Sequence, residues 1–241
     1  MDVKELAMLG EEVDHHWYYR AKAKAMMAYL GKASPELVLD VGAGSGFFSK
    51  YLLSHTSAAQ ALCVDINYER ETDVLVCGKK ISYRRSAEDL EADLVLFMDV
   101  LEHVDDDVGL LRSYVENVPA QTRFLISVPA FQWLWSGHDE FLEHRRRYTL
   151  QGLEAIVAKS GLVPVQGAYF YGLLLPIAVV PRLLQKLNVN HDGPRNQLKR
   201  HHPYINKLLE FVCDIELPLM RHNRIAGLTA FCLAVKPTPK V

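Results

Sequence analysis

The sequence is poor in the features that mark specialised protein classes. Its four cysteines, at positions 63, 77, 213 and 232, form no C-x-x-C pair, and we expect reduced thiols in the core. The net charge is only -2, so no global charge imbalance points to nucleic acid or to an acidic membrane. The acidic, amphipathic N-terminus lacks the basic and then apolar pattern of a signal peptide, which predicts a cytoplasmic protein.

Long apolar runs are also lacking. The apolar stretch from Ala168 to Val180 has only 13 residues, contains Pro176 and is closed by Pro181 and Arg182. That is too short for a transmembrane span. A helical lid over the sheet is one interpretation of the region, and a lipid-facing or dimer-forming surface is the other.

What the chain does have is a nearly regular alternation of apolar strand-like segments with helical ones. This alternation is typical of a parallel sheet covered on both faces. Strands are predicted at about 37–41, 60–66, 81–84, 93–98, 122–128, 162–170 and 225–236. Helices are predicted at about 16–31, 45–55, 105–117 and 149–160. The segment 67–80 is ambiguous, and a full helix there is doubtful.

A glycine-rich run, VLDVGAGSG at residues 38–46, joins the first predicted strand to a helix. Glycine permits positive φ and close backbone approach, so a ligand can lie against bare peptide groups and the helix N-terminus. Such a turn can also serve only to pack a helix on a sheet. The dinucleotide pattern G-x-G-x-x-G needs a third glycine where Phe47 stands, and this disfavours an NAD site.

With Asp40 two residues before the first glycine, the run resembles the cofactor loop of class I S-adenosylmethionine-dependent methyltransferases. The resemblance implies an α/β fold with a Rossmann-like, seven-stranded, mostly parallel sheet, helices on both faces and a helical insertion before the last strand. A single domain over residues 1–241 is expected. Its parts are an N-terminal helical cap, a cofactor-binding core, an insertion or lid, and the last strand with the tail, at 1–31, 32–170, 171–222 and 223–241.

The same resemblance implies how S-adenosylmethionine binds. Asp65 ends the second strand, where its carboxylate can accept both ribose hydroxyls. The SAEDL run at 86–90 resembles the segment that lines the adenine, although Glu88 can equally be a solvated carboxylate. In the N-terminal HHWYYRAKAKAM segment, Arg20 is preferred over Lys22 as partner of the methionine carboxylate. The predicted cofactor-binding residues are Arg20, Asp40, Gly42, Ala43, Gly44, Gly46, Asp65, Ile66, Ala87, Glu88, Asp99 and Val100.

The DVLEHV string at 99–104 is similar to a motif that follows the fourth strand in many small-molecule methyltransferases, including quinone-biosynthesis enzymes. It places Asp99 near both cofactor and acceptor. The acidic residues at 105–107 are interpreted as a helix cap with favourable first-turn charges, without a role in chemistry.

The segment AFQWLWSGHDEFLEHRRRYT at 130–149 is richer in aromatic, histidine and arginine residues than a connection needs, which is typical of a functional loop. It resembles the P-x4-L-W-S-x-H-D-x4-H-x-R-R-Y segment of a subgroup of bacterial methyltransferases. The resemblance implies an acceptor pocket with Trp135, His144, Arg146 and Tyr148. A solvated basic face and structural histidines are the alternative.

The expected reaction is in-line methyl transfer to a small-molecule or amphiphilic acceptor, such as a sugar, a polyprenyl-linked intermediate or a quinone-like ring. Positioning supplies most of the rate. An acceptor hydroxyl also needs a general base, for which His103 and His138 are candidates, with Asp139 as a residue that orients an imidazole. No metal is predicted.

Other function classes remain as alternatives. An NAD-dependent reductase is disfavoured by Phe47, whereas a non-catalytic binding module that kept the fold stays open. A nucleic-acid methyltransferase is disfavoured because MDVLEH stands where a D/N-P-P-Y/F motif is expected, and no nucleic-acid partner is predicted. Peripheral membrane contact is compatible with the apolar insertion, and the oligomeric state stays open.

Overall fold

Eight strands form one sheet in the computed structural model, which describes residues 10–31, 35–87, 90–187 and 202–239. The strands are β1 (Leu37–Val41), β2 (Gln60–Val64), β3 (Thr72–Val76), β4 (Lys79–Arg84), β5 (Leu94–Met98), β6 (Arg123–Pro129), β7 (Val163–Phe170) and β8 (Thr229–Val235). Their order across the sheet is β3-β4-β2-β1-β5-β6-β8-β7. Strands β4, β2, β1, β5 and β6 run parallel, and β3, β8 and β7 pair antiparallel with their neighbours.

The central strands of the sheet are apolar because helices cover both of its faces. All five residues of β5 are buried, as expected for a parallel strand covered by helices on both faces. The strand order reverses between β1 and β5. Strands β2, β3 and β4 lie on the β1 side of this point, and β6, β7 and β8 lie on the β5 side. A crevice opens at such a reversal, outside the carboxyl ends of the strands, and ligands bind there.

Seven helices cover the sheet within the described residues. They are α1 (Trp17–Leu30), α2 (Phe47–His55), α3 (Asp107–Asn117), α4 (Gly137–Phe141), α5 (Leu150–Lys159), α6 (Leu175–Leu187) and α7 (Pro203–Glu216). One core cluster unites α1 and α2 with one face of the sheet, and a second unites α3 and α5 with the other. Helix α3 begins where predicted, and its N-cap Asp106 accepts a hydrogen bond from the Gly109 amide at 2.8 Å.

The α/β class, the mostly parallel sheet and the helices on both faces are confirmed, but the predicted count of seven strands is wrong by one. The additional strand is β3, inside the ambiguous segment 67–80. It pairs with β4 through a two-residue turn in which Cys77 and Gly78 have φ of 51° and 75°. The interior residues of β3 are exposed, so this edge strand has no buried face to impose a hydrophobic alternation.

The predicted insertion between β7 and β8 contains α6 and α7, and α7 is fixed to α1. The Asn206 amide oxygen accepts from the Trp17 backbone N–H at 2.8 Å, and its nitrogen donates to the His15 carbonyl at 2.6 Å. Lys24 forms ion pairs with Glu210 at 2.8 Å and Asp214 at 2.7 Å. Helix α7 of the insertion therefore packs on the N-terminal helix. Within the part of the chain that the structure describes, no helix has the length and apolar character needed to cross a membrane.

Candidate active site

A cavity of about 670 Å³ lies at the carboxyl ends of β1, β2 and β5, where the strand order reverses. Its volume is within the range of small-molecule binding sites. Six of the predicted cofactor-binding residues line it, namely Gly42, Asp65, Ile66, Ala87, Asp99 and Val100. The predicted base His103 also lines the cavity. Glu88 lies outside the described residues.

The glycine loop between β1 and α2 has no room for side chains at two positions. Gly42 has φ of 62°, and a Cβ there would lie 2.8 Å from Val100 Cγ2. Gly46 has φ of 70°, and a Cβ there would lie 2.6 Å from the Tyr83 hydroxyl. Both conformations are strained for other residues, so glycine is required at each. Of these two glycines, Gly42 lines the cavity, so its peptide group is available to a ligand there.

Asp65 connects the glycine loop to the cavity wall. Its buried carboxylate accepts from the Gly44 amide at 3.0 Å and from the Asn67 amide at 2.9 Å. Each carboxylate oxygen has a second lone pair, so both can still accept from a ligand hydroxyl. This geometry fits the predicted ribose contact, which stays a prediction.

Asp40 is buried beneath the loop instead of facing the cavity. Its carboxylate accepts from the Ser49 hydroxyl at 2.8 Å. Burial raises the pKa of Asp40 to about 6, and the Ser49 hydrogen bond offsets only part of this increase. Above about pH 6 the Asp40 carboxylate is therefore charged while it is buried in the fold.

Replacing Asp40 with asparagine should therefore change how stability depends on pH. Because the folded-state pKa exceeds the ordinary value, Asp40 stabilises the fold below about pH 4, and this stabilisation is lost as the pH rises through about 6. The free energy of unfolding of Asp40→Asn minus that of the wild type should rise by about 2 kcal/mol between pH 4 and pH 7. Urea denaturation at several pH values measures the difference. Asp14→Asn, at an exposed carboxylate, is the matched control, and a pH-independent Asp40→Asn difference would refute the burial argument.

A buried ion pair joins α1 to the end of β5. Lys22 is fully buried, and its ammonium donates to Asp99 Oδ2 and, at 2.7 Å, to the Tyr18 hydroxyl. Burial acts to lower the pKa of Lys22, but Asp99 and Tyr18 outweigh it and raise that pKa above its ordinary value. Burial likewise acts to raise the pKa of Asp99, and Lys22 holds it below the usual range. Asp99 has φ of 58°, a strained conformation that this pairing helps to hold at the cavity wall.

Arg20 lies elsewhere. Its guanidinium donates to Glu210 on α7 at 3.0 Å, and its side chain is 41% exposed. Lys22, which the sequence left as the alternative, is the cation of α1 that reaches the cavity wall through Asp99. Its helical spacing explains this, because Lys22 lies one turn after Tyr18 and one turn before the buried Met26.

The loop after β6 is organised around Asp139, a fully buried carboxylate in α4. It accepts from the Ser136 amide at 2.9 Å, from His144 Nδ1 at 3.0 Å, and from Arg147 Nε at 2.6 Å. Burial acts to raise the pKa of Asp139, but His144 and Arg147 outweigh it and keep that pKa well below its usual range. The imidazole that Asp139 orients therefore belongs to His144, a residue predicted to bind the acceptor.

Trp135, Arg146 and Tyr148 hold the loop rather than line the cavity. Trp135 is half-buried at the end of a short 3-10 turn. Arg146 donates to the Asp105 carbonyl at 2.9 Å, and the Tyr148 hydroxyl lies 3.0 Å from both the Leu101 carbonyl and the Asp107 carboxylate. Asp105 and Asp107, at the start of α3, thus anchor the loop, a function that the helix-cap interpretation did not include.

Beside this loop, His103 and His144 meet edge to face, with ring centroids 4.8 Å apart and planes at 80°. Glu102 precedes His103 and is fully buried. Among the described residues, neither of its carboxylate oxygens has a hydrogen-bond partner. Burial raises the pKa of Glu102 well above its usual value, and the charge of Asp99 adds to the increase. His138, by contrast, is half-buried on α4 and does not line the cavity.

The sheet order, the glycine loop and the cavity at the strand reversal match the Rossmann-like methyltransferase fold that the sequence resemblance implied. A family model described as a methyltransferase domain matches residues 14–166, well over half of the chain. The chain belongs to this methyltransferase domain family.

Sequence similarity to individual proteins is limited. A ubiquinone biosynthesis O-methyltransferase from Nitrosospira multiformis is 33% identical over 90 residues, which cover 33% of this chain and 37% of the relative. A methyltransferase from Haloferax volcanii, solved with a methyltransferase activator, aligns with a TM-score of 0.59 at 16% identity, covering 96% of this chain and 93% of that one. An S-adenosylmethionine-dependent methyltransferase from Mesorhizobium loti aligns with a TM-score of 0.55 at 15% identity, covering 89% and 97%. The structural likenesses show the fold.

Proposed function

We propose that the protein transfers the methyl group of S-adenosylmethionine to a small-molecule acceptor that enters the crevice beside Asp99 and His103. The observation that carries the proposal is that Asp65, Gly42 and His103 line one cavity. The lining therefore includes a carboxylate suited to a ribose and an imidazole suited to an acceptor. The sulfonium supplies an electrophilic methyl group, so the protein has to align the acceptor and exclude water.

In this proposal the cofactor lies along the cavity in a defined direction. The ribose hydroxyls donate to Asp65, the adenine lies beside Ile66 and Ala87, and the methionine part lies over the glycine loop. The buried Lys22–Asp99 pair then fixes the wall near the methionine part. Asp99 accepts from the Ser127 hydroxyl at 3.2 Å as well, so β6 also holds it in place.

The acceptor proposed is a hydroxyl on a largely apolar molecule. The similarity to an O-methyltransferase of ubiquinone biosynthesis supports this class over a sugar. A second support is the number of exposed apolar side chains on α6, α7 and their ends. They are Leu173, Ile177, Val180, Tyr204, Ile205, Leu208, Phe211, Ile215 and Leu219, each at least 49% exposed. Exposed apolar side chains of this kind suit an amphiphilic acceptor or peripheral contact with lipid. Co-sedimentation with lipid vesicles tests the contact, and a detergent-indifferent monomer that stays in the supernatant argues against it.

An acceptor hydroxyl has to lose its proton during transfer. His103 is better placed than His138 for this step, because only His103 lines the cavity. A His103→Ala or His138→Ala enzyme that binds cofactor and keeps its full transfer rate eliminates that histidine from the step. The lid role of residues 171–222 stays a prediction.

Calorimetry with the purified protein tests the proposed function at its first step. We expect saturable binding of S-adenosylmethionine with one site per chain, and no binding of NADH, because Phe47 stands where a dinucleotide site needs glycine. Asp65→Ala should weaken S-adenosylmethionine binding about 10- to 100-fold, since it removes the ribose acceptor. Tight NADH binding without S-adenosylmethionine binding would overturn the proposal. Glu69→Ala, an exposed carboxylate near the same strand end, is the matched control.

A further inference from the structure

We propose that Glu102, His103 and His144 bind a divalent transition-metal ion, and that this ion holds and polarises the acceptor hydroxyl. The second half of this proposal rests on the proposed function, whereas the first half does not. The sequence alone predicted no metal, because the third ligand comes from a loop more than forty residues further along the chain.

The three side chains can converge on one point. One potential ligand atom from each of Glu102, His103 and His144 lies within 4.8 Å of the other two. Two ligands of one tetrahedral ion lie about 3.4 Å apart when the bonds are about 2.1 Å long. Each pair of ligand atoms therefore has to approach by about 1.4 Å at most, which side-chain rotation can supply.

The Glu102 carboxylate points to a missing ligand independently of that spacing. It is fully buried, and both of its oxygens lack a hydrogen-bond partner among the described residues. A buried polar group without a partner is costly, and buried carboxylates in native proteins are normally paired, hydrogen-bonded or bound to a metal. An ion in this position would partner the carboxylate.

His144 has the arrangement that metal-binding histidines typically show. Its Nδ1 is hydrogen-bonded to the buried Asp139 carboxylate at 3.0 Å, which leaves Nε2 as the nitrogen for an ion. A carboxylate behind a ligating imidazole fixes the ring and increases its basicity. Arg147 and Ser136 hold Asp139 in turn, so the orientation of His144 is determined before any ion binds.

The backbone around the cluster is also held firmly. The Arg145 amide donates to the Glu102 carbonyl at 2.6 Å, and the Tyr148 hydroxyl lies 3.0 Å from the Leu101 carbonyl. These contacts tie the loop that supplies His144 to the 3-10 turn Leu101–His103 that supplies the other two ligands. Ligands from separate segments are thereby kept together.

The ligand set indicates which ions can bind and from which side an acceptor can reach the ion. Two imidazoles and one carboxylate suit ions such as Zn²⁺, Co²⁺ or Fe²⁺ and leave coordination positions open. His103 lines the cavity, so an open position on that side is accessible to an acceptor.

In the transfer step, the acceptor hydroxyl binds at an open position of the ion and passes its proton to water, because a bound divalent cation lowers the pKa of the hydroxyl. The acceptor oxygen then forms the new O–C bond while the S–C bond of the cofactor breaks and its electron pair stays on sulfur. His103 acts here as a ligand, which replaces the general-base role that the sequence suggested.

Metal binding is tested on the chelator-treated protein with Co²⁺ and Zn²⁺ alone. We expect one equivalent of Co²⁺ to produce the visible absorption of a low-symmetry site with nitrogen ligands, and Zn²⁺ to displace it. Both ions should also raise the unfolding temperature of the wild type, a readout that requires no variant. Absence of saturable binding at millimolar metal would overturn the proposal.

Variants then assign the ligands. Glu102→Gln and His144→Ala should each weaken Co²⁺ binding at least 100-fold, and Asp139→Asn about 10- to 100-fold through His144. Glu140→Gln and His222→Ala replace exposed residues of the same types outside the cluster and should bind as the wild type does. Equal binding in Glu102→Gln, His144→Ala and the wild type would show an adventitious ion elsewhere on the surface and refute the site.

S-adenosylmethionine calorimetry separates this inference from the proposed function. Wild-type protein that binds S-adenosylmethionine but no metal refutes the inference alone, and the proposed function stands. Protein that binds metal but not S-adenosylmethionine refutes the proposed function and the role given to the ion, while the metal site stands.

Discussion

Replacing Asp139 with alanine is expected to lower the free energy of unfolding by about 3–5 kcal/mol, the cost of leaving a buried charge without its partner. The charge is that of Arg147, whose side chain is only 5% exposed and whose Nε and Nη2 both donate to Asp139. The substitution also removes the acceptor for the Ser136 amide and for His144 Nδ1. Urea denaturation at neutral pH measures the loss.

A series of substitutions at Asp139 separates the contribution of the charge to the unfolding free energy from that of the side-chain volume. Asp139→Asn keeps an acceptor but loses the charge, so its loss should lie between that of alanine and zero. Glu140→Ala changes the exposed neighbour and should stay within about 0.5 kcal/mol of the wild type. A double variant, Asp139→Ala with Arg147→Met, should recover part of the loss, because no unpaired buried charge remains. An Asp139→Ala protein as stable as Glu140→Ala would contradict the central role of this carboxylate.

The part of the cavity beside the glycine loop was predictable because its determinants are local. The glycines at 42 and 46, the acidic end of β2 and the apolar run of β5 are each recognisable within a few residues. Strand and helix periodicity then place them at one edge of the sheet, since parallel strands end on the same side. The structure brings six residues of the predicted cofactor set to one cavity for this reason.

The acceptor end was less predictable because its contacts join distant segments. The residues Trp135, His144, Arg146 and Tyr148 were selected for their density in one loop, but none of the four lines the cavity. Which histidine Asp139 orients depends on how the loop folds after α4. Sequence spacing favours the neighbour His138, whereas the turn after α4 brings His144 to the carboxylate instead.

Glu102 shows a further limit of sequence interpretation. The DVLEHV string was singled out as a motif, yet the string does not indicate which of its side chains turns inward. The 3-10 turn Leu101–His103 buries Glu102 and leaves His103 at the cavity, so adjacent residues of one motif reach different environments. The same holds for β3, an edge strand whose exposed residues lack any periodic signal.

Replacing Lys22 with methionine is expected to cost about 3 kcal/mol of unfolding free energy, the lower end of the range for a broken buried pair. The lower end applies because the Asp99 side chain remains 21% exposed toward the cavity and can recover some hydration. Asp99 would also be released from its strained conformation at the cavity wall, where φ is 58°. We therefore expect S-adenosylmethionine binding to weaken at least 10-fold, measured by calorimetry at a temperature where the variant is folded.

Arg20→Met is the matched control, because it removes a cation from the same helix only two residues earlier. The Arg20–Glu210 pair is partly exposed, and such pairs contribute at most about 1 kcal/mol. The two variants thus decide between the sequence-based preference for Arg20 and the structural position of Lys22. A larger loss of cofactor binding in Arg20→Met than in Lys22→Met would restore Arg20 as the cation near the methionine carboxylate. A larger loss of cofactor binding in Lys22→Met would show that Lys22 acts through Asp99, because the Lys22 ammonium is already held by Asp99 and Tyr18.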